Sequence, residues 1–167
     1  KQDWAFFKKL IAQLDFERFE IVIVGDGAMR SQLVEDIKDV EGIHWHPPVP
    51  YEALSDLLCS ADVHILFQKA EVLDTVMPSK ILGMMASAKP SIITGHPDSE
   101  VATTMQSSKG GFYSSQDDVA TVLNQLDTLA SNPEKAKEMG IGARDYVVTH
   151  FSKEEILSRF VTALSEI

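Results

Sequence analysis

One cysteine in 167 residues excludes an internal disulfide. Cys59 stands in L-L-C-S-A, an apolar pattern that predicts a small core residue and suits a reducing, cytoplasmic setting. Long apolar runs are also lacking. Nothing approaches the ~18 to 20 consecutive apolar residues of a spanning helix, and the N-terminal stretch has no signal-peptide profile. Attachment to the inner face of a membrane through another part of a larger protein stays open. Basic residues are scarce: 15 Lys and Arg stand against 25 Asp and Glu, a formal net charge of −10. That balance argues against general affinity for nucleic acid or an anionic bilayer, because both are bound through excess cations. A local basic pocket is compatible with it. The 44% hydrophobic and 24% charged residues are the proportions of an ordinary globular domain of this length.

Several chemistries lack their residues. His44 and His46 alternate on one predicted strand, but no carboxylate or cysteine lies at ligand spacing, and His64, His96 and His150 are scattered. No metal site is expected. Nucleophile-elbow and Walker lysine patterns are absent too.

The periodicity that is present alternates between 3.6 and strand-like. Helices are predicted at Trp4 to Leu14, Ala28 to Val40, Tyr51 to Ser60, Pro78 to Ala88 and Ser99 to Ser107. Between them fall short β-branched runs at Phe19 to Val24, Gly42 to Trp45, Asp62 to Phe67, Ser91 to Thr94 and Gly110 to Tyr113. Three helices close the chain, Gln116 to Ala130, Pro133 to Thr149 and Ser152 to Ile167. Five strands separated by single helices imply right-handed βαβ units and an α/β, doubly wound, Rossmann-like parallel sheet. The pattern opens on a helix where such a half-domain opens on a central strand, so a strand upstream of Lys1 is expected. Ligands of such sheets sit at the carboxyl ends of the strands.

Three stretches at those ends carry candidate chemistry. In V-G-D-G-A-M-R, Gly25 and Gly27 flank Asp26 and lead into a helix whose free N–H groups suit an anion. Arg30 stands where a dinucleotide fingerprint has its third glycine, which disfavours a nicotinamide cofactor; a plain tight turn also explains the glycines. In H-P-P-V-P, His46 to Pro50, the prolines fix a stiff extended loop with free carbonyls, either a wall for a flat heterocycle or a spacer. In D-T-V-M-P-S-K-I-L-G-M-M-A, Pro78 suits a first helical turn, and Ser79 with the N–H groups there makes an anion site. Lys80 is unfavourable beside a helix N-terminus by ~0.3–1 kcal/mol unless an anion accompanies it. A solvated surface lysine is the other reading. Ile81, Leu82, Met84 and Met85 form the buried side, and Gly83 marks a close approach.

These segments in this order, with L-L-C-S-A-D-V-H-I-L-F, G-G-F-Y and A-R-D-Y-V-V-T-H-F-S, resemble the C-terminal donor-binding domain of family 4 retaining glycosyltransferases of the GT-B fold. The P-S-K variant is similar to bacterial enzymes of colanic acid, O-antigen and capsule assembly. The resemblance implies a UDP- or GDP-linked sugar donor, no cofactor and no essential metal, and a saccharide or lipid-linked acceptor held by an N-terminal domain. It implies that Met77 to Lys80 hold the diphosphate together with Lys1, the catalytic cations being Lys1 and Lys80. It also implies that His46, Pro47 and Val49 face the base. The family's two glutamates, separated by seven intervening residues, fall on Thr75 and Gly83 here, leaving Glu71 and Asp74 as the nearby carboxylates. A sugar-nucleotide-modifying enzyme with bound NAD and a non-catalytic nucleotide-binding or interaction module are the other readings.

Overall fold

The computed structural model describes residues 2–69, 79–114 and 118–165. Among them are five parallel strands: β1 (Ile21–Val24), β2 (Ile43–His46), β3 (His64–Phe67), β4 (Ser91–Thr94) and β5 (Gly111–Ser114). They form two sheets, β1-β2 and β3-β4-β5, with every pairing parallel. The expected α/β class and strand count stand.

The helices are α1 (Trp4–Ile11), α2 (Arg30–Ile37), α3 (Leu54–Ser60), α4 (Ser79–Ala86), α5 (Glu100–Ser108), α6 (Val119–Ser131), α7 (Pro133–Phe151) and α8 (Lys153–Ser165). A turn of 3-10 helix, Tyr51–Ala53, precedes α3. Short polar side chains start several of them by accepting a first-turn N–H: Asp3 from Phe6, Ser99 from Ala102, Asp118 from Thr121 and Asn132 from Lys135. Pro133 then opens α7, where its missing donor costs nothing.

Helices cover both faces. Phe6, Phe7, Leu10 and Leu14 pack with Ile21, Leu33, Ile37, Phe67, Ile92, Val122 and Leu126 in one core beneath α1, α2 and α6. The opposite core joins Leu66, Ile81, Met84, Met85, Ile93, Val101, Met105 and Ala143 beneath α4, α5 and α7. Ile92 and Ile93 are both completely buried, so consecutive residues of β4 feed opposite cores. That is the mark of a sheet covered twice.

Three sequence expectations change. The first helix stops at Ile11 instead of Leu14, yet Leu14 is still buried, because the turn after the helix carries it into the core. The second helix loses a turn at its start: Met29 offers no side-chain cap, and Gly27 accepts the Arg30 N–H instead. Cys59 is exposed, not core. Leu57 and Leu58 meet the apolar demand of the L-L-C pattern, and Cys59 falls on the outer side of a helix with no buried residue. Among the described residues no helix is long and apolar enough to cross a membrane.

His64 gives the fold a pH dependence. Burial, with a smaller push from the Lys89 cation, lowers its pKa from the ordinary 6.5, against a backbone hydrogen bond at Leu58 that raises it. The contribution is fully present above the unfolded value and is lost as pH falls below 6.5, where only the unfolded chain readily takes up the proton. We expect urea midpoints to drop between pH 7.5 and pH 5.5, with a visibly smaller drop in His64→Gln. Equal drops in the two proteins would remove His64 from the acid limb.

Candidate functional site

The carboxyl ends of β1 and β2 are tied by the Gly25 N–H, which donates to the His46 carbonyl at 3.1 Å. Gly25 has φ +152°, a conformation that favours glycine, and a Cβ at Gly25 or Gly27 would meet nothing within 4 Å. The glycine loop therefore faces open space and is not a packing necessity. Arg30 follows at the head of α2. Its guanidinium lies 3.6 Å from the Asp26 carboxylate and 4.1 Å from the centre of the Trp45 ring. The Asp26 charge is thus answered from the first residue of α2, and Arg30 is held over a ring of β2. The α2 N-terminus has no side-chain cap.

His46, Pro47 and Pro48 are exposed, while Val49 is half-buried. Pro50 is extended at φ −55° and ψ 151°, the stiff geometry its ring dictates. The loop leaves the sheet on the same edge as the glycine turn.

Helix α4 brings the third element. Its apolar side is docked as expected: Ile81 and Met85 are fully buried and Met84 nearly so. Its far end is gripped from α7. The Arg144 Nη1 donates to the Ala86 carbonyl at 2.7 Å, supplying a cation at a helix C-terminus, and Gly140 lies against the Ala88 carbonyl. Ser87 Oγ donates to Met84 O at 2.6 Å and lies 3.0 Å from His64 Nε2. With its C-terminal end fixed, α4 presents Ser79 and Lys80, both exposed, at its first turn. Lys80 has no ion-pair partner among the described residues and sits as a cation in the first turn of α4.

Gly83 does not mark a close approach. A Cβ there would touch only the Leu58 Cδ1 at 3.4 Å, the end of a flexible side chain. The closest approaches are elsewhere, at Gly111 and Gly140, where a Cβ would fall 1.9 Å and 2.0 Å from backbone oxygens. Lys1, Glu71, Asp74, Met77 and Pro78, together with Thr75, lie outside the described residues. The structure thus joins Gly25 to His46 directly, puts Asp26, Gly27, Pro47 and Val49 on the same edge, and places Ser79 and Lys80 at the head of α4.

Two features escaped the sequence reading. Lys69 is exposed immediately after the carboxyl end of β3, a second cation at that edge; its position one residue beyond a buried Gln68 was the available signal. A hydroxyl network braces the ends of β4 and β5. Tyr113 donates its hydroxyl to the His96 carbonyl at 2.8 Å and lies 3.0 Å from Ser99 Oγ, and burial raises its pKa. A Cβ on Gly95 would come within 2.7 Å of that hydroxyl. Nothing in the periodicity announces this contact, because it joins residues 14 to 17 positions apart through a glycine gap. Among the described residues no three His, Cys, Asp or Glu side chains gather as metal ligands.

Parallel strands covered by helices on both faces, with a glycine turn and the exposed Lys69 and Lys80 near their carboxyl ends, make a doubly wound, Rossmann-like α/β domain. The comparisons agree and narrow it. Residues 4–132 match the family model described as glycosyl transferases group 1, and the chain belongs to that family. It is 25% identical over 146 residues to WcaI of Escherichia coli K12, a glycosyl transferase named for colanic acid biosynthesis, covering 86% of this chain and 34% of WcaI. Among solved structures, Anabaena HepE in complex with UDP-glucose superposes with a TM-score of 0.80 at 14% identity, over 99% of this chain and 46% of HepE. The C-terminal domain of the group 1 glycosyl transferase LpcC from Francisella tularensis superposes with a TM-score of 0.68 at 16% identity, over 89% of this chain and 78% of that domain. The fold is that of the C-terminal half of a GT-B enzyme. The chain spans about a third of the length of its curated relative.

Proposed function

We propose that this chain is the donor-binding part of a retaining glycosyltransferase that takes a UDP- or GDP-linked sugar and passes it to a saccharide or lipid-linked acceptor in cell-surface glycan synthesis. The observation that carries the reading is the head of α4: Ser79 and Lys80 are both exposed, and Lys80 has no ion-pair partner among the described residues, at a helix start near the carboxyl edge of a parallel sheet. Support comes from membership in the group 1 family and from the UDP-glucose held by HepE.

Chemically, the step this site would assist is departure of the nucleoside diphosphate. As the anomeric C–O bond breaks, negative charge builds on the diphosphate, and fixed donors in a water-poor crevice stabilise it better than water does. Lys80 and the α4 N–H groups take that role, with Lys1 and Lys69 as further cations. In this reading no metal or cofactor is required. The glycine turn around Asp26 and the His46 to Val49 loop flank the nucleoside, and Glu71 and Asp74 are the carboxylates assigned to the donor. The acceptor is held by an N-terminal domain, at the inner face of the membrane where it is lipid-linked.

Melting the chain with UDP, GDP and NAD in parallel tests this. A ligand at 100 times its Kd stabilises by about 2.7 kcal/mol, which is a rise of roughly 5–10 °C for a domain of this size. UDP or GDP is expected to give it. A response to NAD alone would make the protein a sugar-nucleotide-modifying enzyme, and no response to any of the three would make it a non-catalytic module.

A further inference from the structure

The geometry points to a base reader at the carboxyl edge of β1 and β2, in which Asp26 and Arg30 select a guanine nucleotide over a uracil one. It rests on the donor-binding reading above and decides between the two nucleotides which that reading leaves open. Arg30 opens α2, and its guanidinium is placed by two contacts that leave its donors free. Trp45 takes a face of the planar group, with Cζ 4.1 Å from the ring centre, and such stacking consumes no N–H. The Asp26 carboxylate stands 3.6 Å from Nη1, close enough to pair charges and too far for a hydrogen bond. Among the described residues neither side chain makes a hydrogen bond. With Asp26 57% and Arg30 47% exposed, the polar edges of both groups are open to a ligand.

The pair stands beside the stiff loop that follows β2. Val24 lies opposite His46 in the register, and the Gly25 N–H bond to His46 O ties the turn carrying Asp26 to that loop. Trp45, which holds Arg30, is the residue before His46. Pro47, Pro48 and Pro50 have no N–H, so the loop offers a base carbonyl acceptors and few donors. A base with a carbonyl oxygen needs a donor from elsewhere, and the Arg30 fork is the side-chain cation fixed at this corner.

The chemistry of the pair chooses the base. An ionised carboxylate only accepts and a guanidinium only donates, so side by side they form a donor–acceptor edge. Guanine is its complement: O6 accepts from Arg30, while N1–H and an N2–H donate to the two oxygens of Asp26. Uracil places its N3–H between two carbonyls. One of them takes Arg30, and the other is left against the Asp26 carboxylate, acceptor facing acceptor. Adenine engages both groups but turns a C–H to the second carboxylate oxygen. Charge-assisted bonds are the strong ones, and a site built for a polar edge rejects an analogue that lacks it. Holding the guanidinium over Trp45 beforehand reduces the ordering cost of binding.

Calorimetry of the chain with GDP, UDP and inosine diphosphate, which is GDP without the N2 amino group, decides it. GDP should bind ~10–100-fold tighter than UDP, and inosine diphosphate should fall ~10-fold short of GDP through the loss of one charge-assisted bond. Asp26→Asn keeps one acceptor for N1–H and sets a donor against the N2 amino group, so it should bring GDP and inosine diphosphate within ~3-fold of each other. Arg30→Met keeps an apolar cover on Trp45 and removes the donor to O6, which should cost GDP ~10-fold. Both positions are exposed, and both variants should melt with the parent. UDP bound as tightly as GDP overturns the guanine assignment and leaves the donor-binding reading standing. A gap to inosine diphosphate that is absent in the parent, or that survives Asp26→Asn in full, takes Asp26 off the base and overturns the reader. Failure of all three diphosphates to bind overturns both.

Discussion

Gly140→Ala is expected to destabilise the domain by about 3 kcal/mol, a loss of roughly 6–12 °C in melting temperature. A Cβ built on Gly140 falls 2.0 Å from the Ala88 carbonyl oxygen, 2.6 Å from its carbon and 3.1 Å from Lys89 Cα. All three are backbone atoms, so no rotamer change relieves the overlap; either α7 lifts away or the turn between α4 and β4 shifts. That turn has little freedom. Ala88 already holds a left-handed φ of 57°, and its neighbours Ser91 to Thr94 are the buried central strand of their sheet. In a free helix the same substitution would help by about 1 kcal/mol, because alanine is the better helix former. The steric term must therefore exceed the propensity term to give the expected sign. Gly27→Ala is the matched control: its Cβ meets nothing within 4 Å, and its stability should move by less than about 0.5 kcal/mol. A Gly140→Ala protein that melts with the parent would show that α7 does not seat on α4.

The consequence reaches the site. The α7 helix holds α4 by its C-terminal end, through Gly140, Ala143 and the Arg144 bond to Ala86 O, and the ligand-facing turn is at the opposite end of the same eight-residue helix. Displacing α7 therefore moves Ser79 and Lys80 without touching them. A partly folded Gly140→Ala protein should lose nucleotide affinity along with stability.

How far this arrangement could be read beforehand depends on what each residue reports. Alternation of β-branched runs with helical stripes is a local property, so all five strands and the helices between them were legible, with ends displaced by no more than three residues. Cys59 was misread because an apolar neighbourhood in sequence does not fix which side of a helix a residue takes. Gly83 was misread for a similar reason. A glycine inside a helix signals a close approach somewhere, but the partner of Gly140 is 52 positions away at Ala88, and only the packing of α7 on α4 identifies it. The position of Lys80, exposed at a helix start, was legible because it contradicts a local rule, a cation at that end of a helix. The Tyr113 network and Lys69 break no local rule and were invisible.

Lys80→Ala is expected to weaken UDP or GDP binding by ~10–100-fold while changing uridine or guanosine binding less than about twofold. A hydrogen bond to a charged group contributes ~1.5–3 kcal/mol, and a lysine reaching a diphosphate makes a charge-assisted one beside N–H groups that already favour the anion. The nucleoside lacks the phosphates and so cannot register the loss. Lys80 is exposed and has no ion-pair partner among the described residues, so its removal should spare the fold and let the affinity change be read without correction for unfolding. Lys80→Arg, which keeps the charge, should recover most of the diphosphate affinity, whereas Lys80→Met should not. Raising the salt should shrink the difference between parent and Lys80→Ala, since an exposed charge is screened over ~8–10 Å at ordinary ionic strength. Calorimetry of the four proteins with the diphosphate and the nucleoside separates the cases. Equal losses for both ligands would take Lys80 off the phosphates, and an unchanged diphosphate affinity would leave the α4 N–H groups and Lys69 to carry the anion.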